Sequence, residues 1–351
     1  MCGLDPPTLL RTVPDALRSP AGNPGGSPTR RRRLPGEFEL IARLCRGLRP
    51  GPRTILGPGD DCAIIEAGRA PQLFTIDSLV EGVHFQLEWG TPEALGARSL
   101  TVNLSDIAAM GGKAVACVVN LAVRDGLDAR FFDRLYAGLR REASDSGVDI
   151  VGGNITRARE LAITIALLGD APARVLRRDA ARAGDEIFVT GTVGDAAVGW
   201  RILAGELRAR GNVRRYLANR FLKPTARLTA GQALSKLALS PAAIDISDGL
   251  LQDLGHILER SRVGAQIDPA AVPVSDEYRA VMGSDLSLAL GGGEDYELLF
   301  CLRPGHSERE LGRRLGLPVR RIGEIVRGRT VRLKGGRAPA IAGWDQLRSS
   351  E

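Results

Sequence analysis

At 351 residues, with 44% hydrophobic and 25% charged residues, the chain can form two domains with cores of their own and has the composition of a globular protein. The net charge of +7 does not mark a nucleic-acid surface, because residues 1–35 hold Arg11, Arg18, Arg30, Arg31, Arg32 and Arg33 against only Asp5 and Asp15, which leaves the body nearly neutral. The longest apolar stretch, near residues 114–123, is too short to span a bilayer, no apolar leader core opens the chain, and Cys2, Cys45, Cys62, Cys117 and Cys301 form no CxxC pair, so a cytoplasmic protein with reduced thiols and no membrane partner is expected.

Residues 1–35, rich in Arg, Pro and Gly without apolar periodicity, read as a disordered extension; a basic nucleic-acid arm is the sharper alternative. Phe38, Ile41, Leu44, Cys45 and Leu48 recur at helical spacing. Gln72–Ile76 reads as a short strand ending at Asp77, and Thr91-Pro92-Glu93 as a capped helix start running towards Ile107–Met110. Ala114–Val123 reads as a buried strand, Ala129–Ser146 as an amphipathic helix, and Val148–Val151 and Leu161–Leu168 as strands. Beyond a boundary near Asp170–Val175, strands are predicted at Glu186–Thr190, Ala242–Ile246 and Tyr296–Leu302. Helices are predicted at Asp195–Gly205, Pro224–Leu239, from Gly249 through Leu258, and at Ser307–Leu315. Because several strands are adjacent in sequence, the pattern implies mixed α/β sheets rather than a doubly wound parallel sheet. The domains are then 36–170 and 171–351.

The chemistry lies in short segments that set Asp, Glu or Asn beside Gly, Ser or Thr: Gly59-Asp60-Asp61, Thr75-Ile76-Asp77, Ser105-Asp106, Gly152-Gly153-Asn154, Asp245-Ile246-Ser247-Asp248-Gly249 and Gly292-Gly293-Glu294-Asp295-Tyr296. Hard cations such as Mg²⁺ take oxygen ligands and share them with substrate phosphates. No GxxxxGK[ST] loop is present, so phosphates are handled without a Walker loop. Singly, each segment has a plainer reading: a turn or cap aspartate for Asp60 and Asp77, a structural His84, a buried small residue for Cys62, a core-edge aromatic for Trp344. Recurrence carries the metal reading, since Asp60, Asp77, Asp106, Asp245 and Asp248 each fall at the end of a predicted element, and clustered carboxylates repel unless cations neutralise them.

In this order, and together with Gly36-Glu37-Phe38, Glu81-Gly82-Val83-His84-Phe85, Asn103-Leu104-Ser105-Asp106-Ile107-Ala108-Ala109-Met110-Gly111 and Gly343-Trp344-Asp345, these motifs closely resemble the thiamine-monophosphate kinases. The resemblance spans Gly36 to about Trp344. It implies ATP-dependent phosphorylation of thiamine monophosphate to thiamine diphosphate by direct transfer, with several Mg²⁺ ions and ATP as co-substrate. It also implies a two-domain fold like that of aminoimidazole ribonucleotide synthetase, a homodimer whose N-terminal domains pair into a barrel, and no nucleic-acid partner. Carried over by position, Asp60, Thr75, Asp77, Asp106, Asn154, Asp245 and Asp248 match metal ligands. Tyr136, Gly153, Asn154, Arg178 and Ser247 match nucleotide contacts, and His84, Glu294 and Trp344 match the thiamine phosphate pocket. The chain departs from the family at Asn154, often Asp, and at Ile76, often Thr or Ser. Other ATP-using enzymes of the same superfamily, or a non-catalytic nucleotide-binding protein, are the alternatives.

Overall fold

The computed structural model describes residues 36–58, 62–237 and 241–335; Asp60, Trp344 and the extension 1–35 lie outside them. In chain order the elements are α1 (Glu37–Cys45), β1 (Thr54–Leu56), β2 (Ile64–Ile65), β3 (Gln72–Val80), α2 (Pro92–Ala109), β4 (Lys113–Val123), α3 (Ala129–Ser146), β5 (Asp149–Arg157) and β6 (Ala162–Asp170). The second half continues with β7 (Glu186–Thr190), α4 (Asp195–Leu203), α5 (Gly211–Leu222), α6 (Leu228–Ser235), β8 (Ala242–Asp245), α7 (Leu250–Ser261) and β9 (Gly264–Ile267). It closes with α8 (Asp276–Met282), α9 (Ser287–Gly291), β10 (Leu298–Leu302), α10 (Glu308–Leu315), β11 (Val319–Val326) and β12 (Val331–Leu333).

Strands β3-β6-β4-β5 form one sheet and β12-β9-β11-β7-β10-β8 another. Each mixes antiparallel pairs with one parallel pair, β4 with β5 and β12 with β9. The mixed α/β architecture expected from the sequence is the one observed. Side chains paired across a sheet share a face and successive residues alternate. On the inner face of the first sheet, Leu167, Ile165, Cys117 and Val119 pack with Leu100, Leu104, Phe132 and Leu135 of α2 and α3. The second sheet is covered on one side by α7 and neighbouring helices through Leu250, Leu254 and Ile257, and on the other by α6 and α10 through Leu234 and Leu311.

Helix α2 begins as its sequence dictates: Thr91 Oγ1 accepts a hydrogen bond from the Ala94 amide at 3.2 Å, and Pro92 fills the first helical position. It is buried on nearly all sides, with thirteen of its eighteen residues inaccessible, which is why it shows little amphipathic periodicity. Its Leu100 and Leu104 enter the first core while Ala108 and Ala109 enter the core shared with α6 and α10. Against α3 it packs backbone to backbone, because a Cβ on Gly138 would stand 1.9 Å from the Glu93 carbonyl oxygen.

Several expected bounds shift; β5, expected to end at Val151, runs on to Arg157. The sequence places Asp77 at a strand end, but β3 continues to Val80, since every residue from Gln72 to Val80 has a partner in β6; Asp77 pairs with Ile165 in mid-strand. The helix predicted over Pro224–Leu239 runs only from Leu228 to Ser235, Arg227 at its N-cap standing outside helical geometry at φ -90° and ψ 44°, and residues 238–239 lie outside the described residues.

Gly138→Ala is expected to cost about 3 kcal/mol through overpacking. Gly255→Ala in α7, where an added Cβ meets nothing within 4 Å, is expected to gain about 0.5–1 kcal/mol. Urea denaturation of both variants beside the parent measures the contrast; equal effects would mean that α2 and α3 tolerate separation.

Candidate functional site

The two sheets meet at the C-terminal half of α2. From β3, Thr75 Oγ1 donates to Asp106 Oδ2 at 2.5 Å; from α2, Ser105 Oγ donates to Asp245 Oδ2 at 2.7 Å, at the end of β8. Adjacent residues of one helix thus grip a strand from each sheet. Beyond Asp245 the chain turns through Ser247, Asp248 and Gly249 into α7, and the amides of these three residues donate to Asp253 Oδ2 at 3.1, 3.1 and 3.0 Å. The loop before β10 lies against this turn: Glu294 N donates to Ser247 O and Tyr296 N to Ile246 O, both at 2.8 Å. Only glycine allows that approach, as a Cβ on Gly293 would lie 2.1 Å from the Ser247 carbonyl oxygen. Glu294 itself sits at φ 71° and Tyr296 at φ 52°, in the left-handed region that non-glycine residues seldom occupy.

The outcome is one crevice walled by Asp77, Asp106, Asp245, Asp248, Asp253 and Glu294. Surrounding protein and then the carboxylates of Asp106, Asp245, Glu294 and Asp248 push Asp77 up to about 7. Half-buried Asp106 and buried Asp245, close enough to repel, are both raised by their surroundings, against the opposing hydrogen bonds of Thr75 and Ser105. Burial raises Asp248, with Gln252, His256 and Arg178 opposing, and burial beside Asp245 and Asp248 pushes Asp253 up to about 8. Arg178, exposed on the short turn of helix over Arg178–Ala180, is the cation whose field reaches Asp106, Asp245 and Asp248. So many oxygen ligands with so little positive charge nearby suit hard divalent cations.

The structure therefore gathers Thr75, Asp77, Asp106, Asp245, Ser247, Asp248 and Glu294, with Arg178 at the rim. His84, in the turn after β3, joins through Arg98 of α2, whose Nη1 donates to the His84 carbonyl oxygen at 3.0 Å and whose Nη2 donates to Glu294 Oε2 at 2.6 Å. Asn154 stands elsewhere: it lies within β5, paired with Asn120, on the outer face with Ser78 and Thr164, and its Nδ2 donates to Asn120 Oδ1 at 2.9 Å. Asp77 is on the opposite, inner face. Gly153 precedes Asn154 in the same strand, and Tyr136 is enclosed in the first core near Cys45 and Cys117, where burial drives its phenol above the usual range. Sequence reasoning missed Arg98, Asp253 and Tyr296. Tyr296 lies in the Gly292–Tyr296 segment; Asp253 follows Asp248 at helical spacing; Arg98 gives no signal beyond being the one basic residue of α2.

The chain is similar to known proteins over most of its length. Residues 59–171 match the family described as AIR synthase related protein, N-terminal domain, and residues 182–336 match AIR synthase related protein, C-terminal domain. The thiamine-monophosphate kinase of Escherichia coli (strain K12) is 40% identical over 300 residues, 83% of this chain and 90% of that one. The crystal structure of thiamine-monophosphate kinase from Stenotrophomonas maltophilia K279a is similar with a TM-score of 0.75 at 34% identity, covering 86% of this chain and 96% of that one. A structure described as AaThiL complexed with AMPPCP and TMP is similar with a TM-score of 0.72 at 34% identity, covering 89% and 97%.

An aspartate whose pKa rises on folding loses stability as pH climbs from its ordinary value through the raised one. For Asp77 that window runs from 3.8 to about 7. Without divalent cations, Asp77→Asn is expected to match the parent at the acid end of the window and to exceed it by about 1 kcal/mol above it, allowing for solvent screening. Chemical denaturation at the two pH values checks this; a variant less stable than the parent at high pH would refute the repulsion.

Proposed function

This chain belongs to the AIR synthase related family and, within it, to the thiamine-monophosphate kinases, and from that membership we propose how its acidic crevice performs the reaction. The enzyme phosphorylates thiamine monophosphate with ATP as co-substrate. The observation that carries the reading is the pairing of Thr75 with Asp106 and of Ser105 with Asp245, which brings ligands from both sheets into one crevice.

Asp77, Asp106, Asp245 and Asp248, with Thr75, would hold Mg²⁺; Asp60 is assigned to the same set by its motif. Bound there, the ions would neutralise the phosphates and align attacker and γ-phosphoryl group. The residues of the chain do the rest. Thr75 and Ser105 fix the directions of Asp106 and Asp245, so that their remaining oxygens face the crevice. Arg178 lends positive charge at the rim, where the triphosphate enters, and Ser247 borders it. His84 and Glu294 take the thiamine phosphate, with Trp344 assigned beside them. The acceptor is a phosphate oxygen already largely ionised near neutral pH, so no side chain need remove a proton and transfer passes directly from ATP to substrate without a phospho-enzyme.

A homodimer is the proposed assembly. Phe74 and Ile76 on β3 and Val118 on β4 share the outer face of the first sheet and are 74%, 61% and 41% exposed, an apolar surface that suits a second copy of the same sheet. On that face Asn154 would meet nucleotide or metal only near the dimer interface; Gly153 and Tyr136 are assigned to the nucleotide by position alone. The matched segments support domains near 36–170 and 171–351. Free Cys45, Cys62, Cys117 and Cys301 support a cytoplasmic setting, and among the described residues no helix is long and apolar enough to cross a membrane.

Incubation of the full chain with ATP, Mg²⁺ and thiamine monophosphate should yield thiamine diphosphate and ADP, and EDTA should stop it. Asp106→Asn and Asp77→Asn should each lower kcat by at least about 100-fold, the loss of a few kcal/mol of charge stabilisation. Near-parental turnover in either variant would remove that residue from the metal set. Ile76→Arg should convert the dimer to monomer in sedimentation velocity, and an unchanged sedimentation coefficient would place the interface elsewhere.

A further inference from the structure

Arg98 has a side chain that no assignment above explains. It lies on α2 roughly two helical turns before Asp106 and is only 2% exposed. Its guanidinium donates to the His84 carbonyl oxygen at 3.0 Å and to Glu294 Oε2 at 2.6 Å, and its carbon stands 4.0 Å from the centroid of the Phe221 ring. The turn after β3, the loop before β10 and helix α5, all distant in sequence, thus converge on one cation. Stability does not account for it. Burying a charge costs several kcal/mol, apolar residues of like volume pack as well, and Nε has no hydrogen-bond partner. What the cation does achieve is orientation. Glu294 Oε2 accepts from Arg98 and, at 3.2 Å, from the Tyr296 hydroxyl, while Oε1 accepts no hydrogen bond from the described residues.

We propose that Arg98 is a positioning residue for the thiamine phosphate: by occupying Glu294 Oε2 and holding the His84 turn, it presents Glu294 Oε1 to hydrogen-bond donors of the substrate. The proposal rests on the reading of His84 and Glu294 as the substrate pocket. The guanidinium, with 1% of its side chain exposed, acts through these two segments, which separates its effect from that of Asp106 on the same helix.

The test is a steady-state comparison of Arg98→Met, Arg98→Lys, Glu294→Gln and the Arg98→Met/Glu294→Gln double variant. Arg98→Met is expected to raise KM for thiamine monophosphate at least tenfold while KM for ATP stays within about twofold, as loss of substrate-specific binding requires. Arg98→Lys, which keeps the charge but not the fork that reaches both His84 and Glu294, should recover part of the affinity, and the double variant should be no worse than the poorer single one, because the two side chains act as a unit. Should Arg98→Met fail to fold, Arg98→Gln reads the same split. Equal rises in both KM values, or an unchanged KM for thiamine monophosphate alongside a raised one in Glu294→Gln, would overturn the role of Arg98. Unchanged KM values in both Glu294→Gln and His84→Ala would instead overturn the pocket reading, and the proposal with it.

Discussion

Carboxylates crowded into one crevice repel, and everything around this site serves to hold them together despite that repulsion. The holding groups are mostly neutral donors. Thr75 restrains Asp106, Ser105 restrains Asp245, and three successive amides at the start of α7 restrain Asp253. Neutral donors keep the oxygens in place without cancelling their charge, which leaves the repulsion that the proposed cations would relieve. A ring of buried lysines or arginines would instead have neutralised the carboxylates.

Such restraint requires a rigid frame, and α2 supplies it. Because the helix is enclosed on nearly every side, Arg98, Ser105 and Asp106 cannot shift without disturbing both cores. The loop that carries Glu294 is anchored as firmly from below. Buried Glu297 accepts from Thr190 at 2.7 Å and is paired with Arg220 and Arg227, while buried Asp295 accepts from the amides of Gly194 and Ala196 at the start of α4. With Asp295 and Glu297 committed inward, Glu294 and Tyr296 take left-handed conformations, and that local strain is borne by the charges on either side.

The first sheet divides its two faces between two tasks. Thr75 and Asp77 look inward to the crevice, whereas Phe74, Ile76 and Val118 look outward as an apolar face. Alternation along β3 thus gives one strand an acidic surface toward the crevice and an apolar surface outward, so that a one-residue change of register would displace both.

Much of this was legible in the sequence. The helices at 91–109 and 129–146 declare themselves through a Thr-Pro start and a clear amphipathic period, and the strand at 186–190 through its apolar run. The Asp- and Gly-bearing segments, taken in order, marked both the family and most of the crevice. What local pattern could not supply was distance between remote segments. Nothing near Asp77 in the chain tells that β3 runs past it to pair with β6, nor that Asn154 faces the other way, because the face of a residue is set by register with a partner strand. Arg98 reads as the lone basic residue of its helix until Glu294, remote in sequence, arrives beside it. The sequence by itself determined the element types, the acidic motifs and the chemistry they suit, since these depend on neighbours along the chain. Only the tertiary structure decided which carboxylates share a crevice and that Arg98 reaches Glu294, since those contacts exist only once both cores have closed around α2.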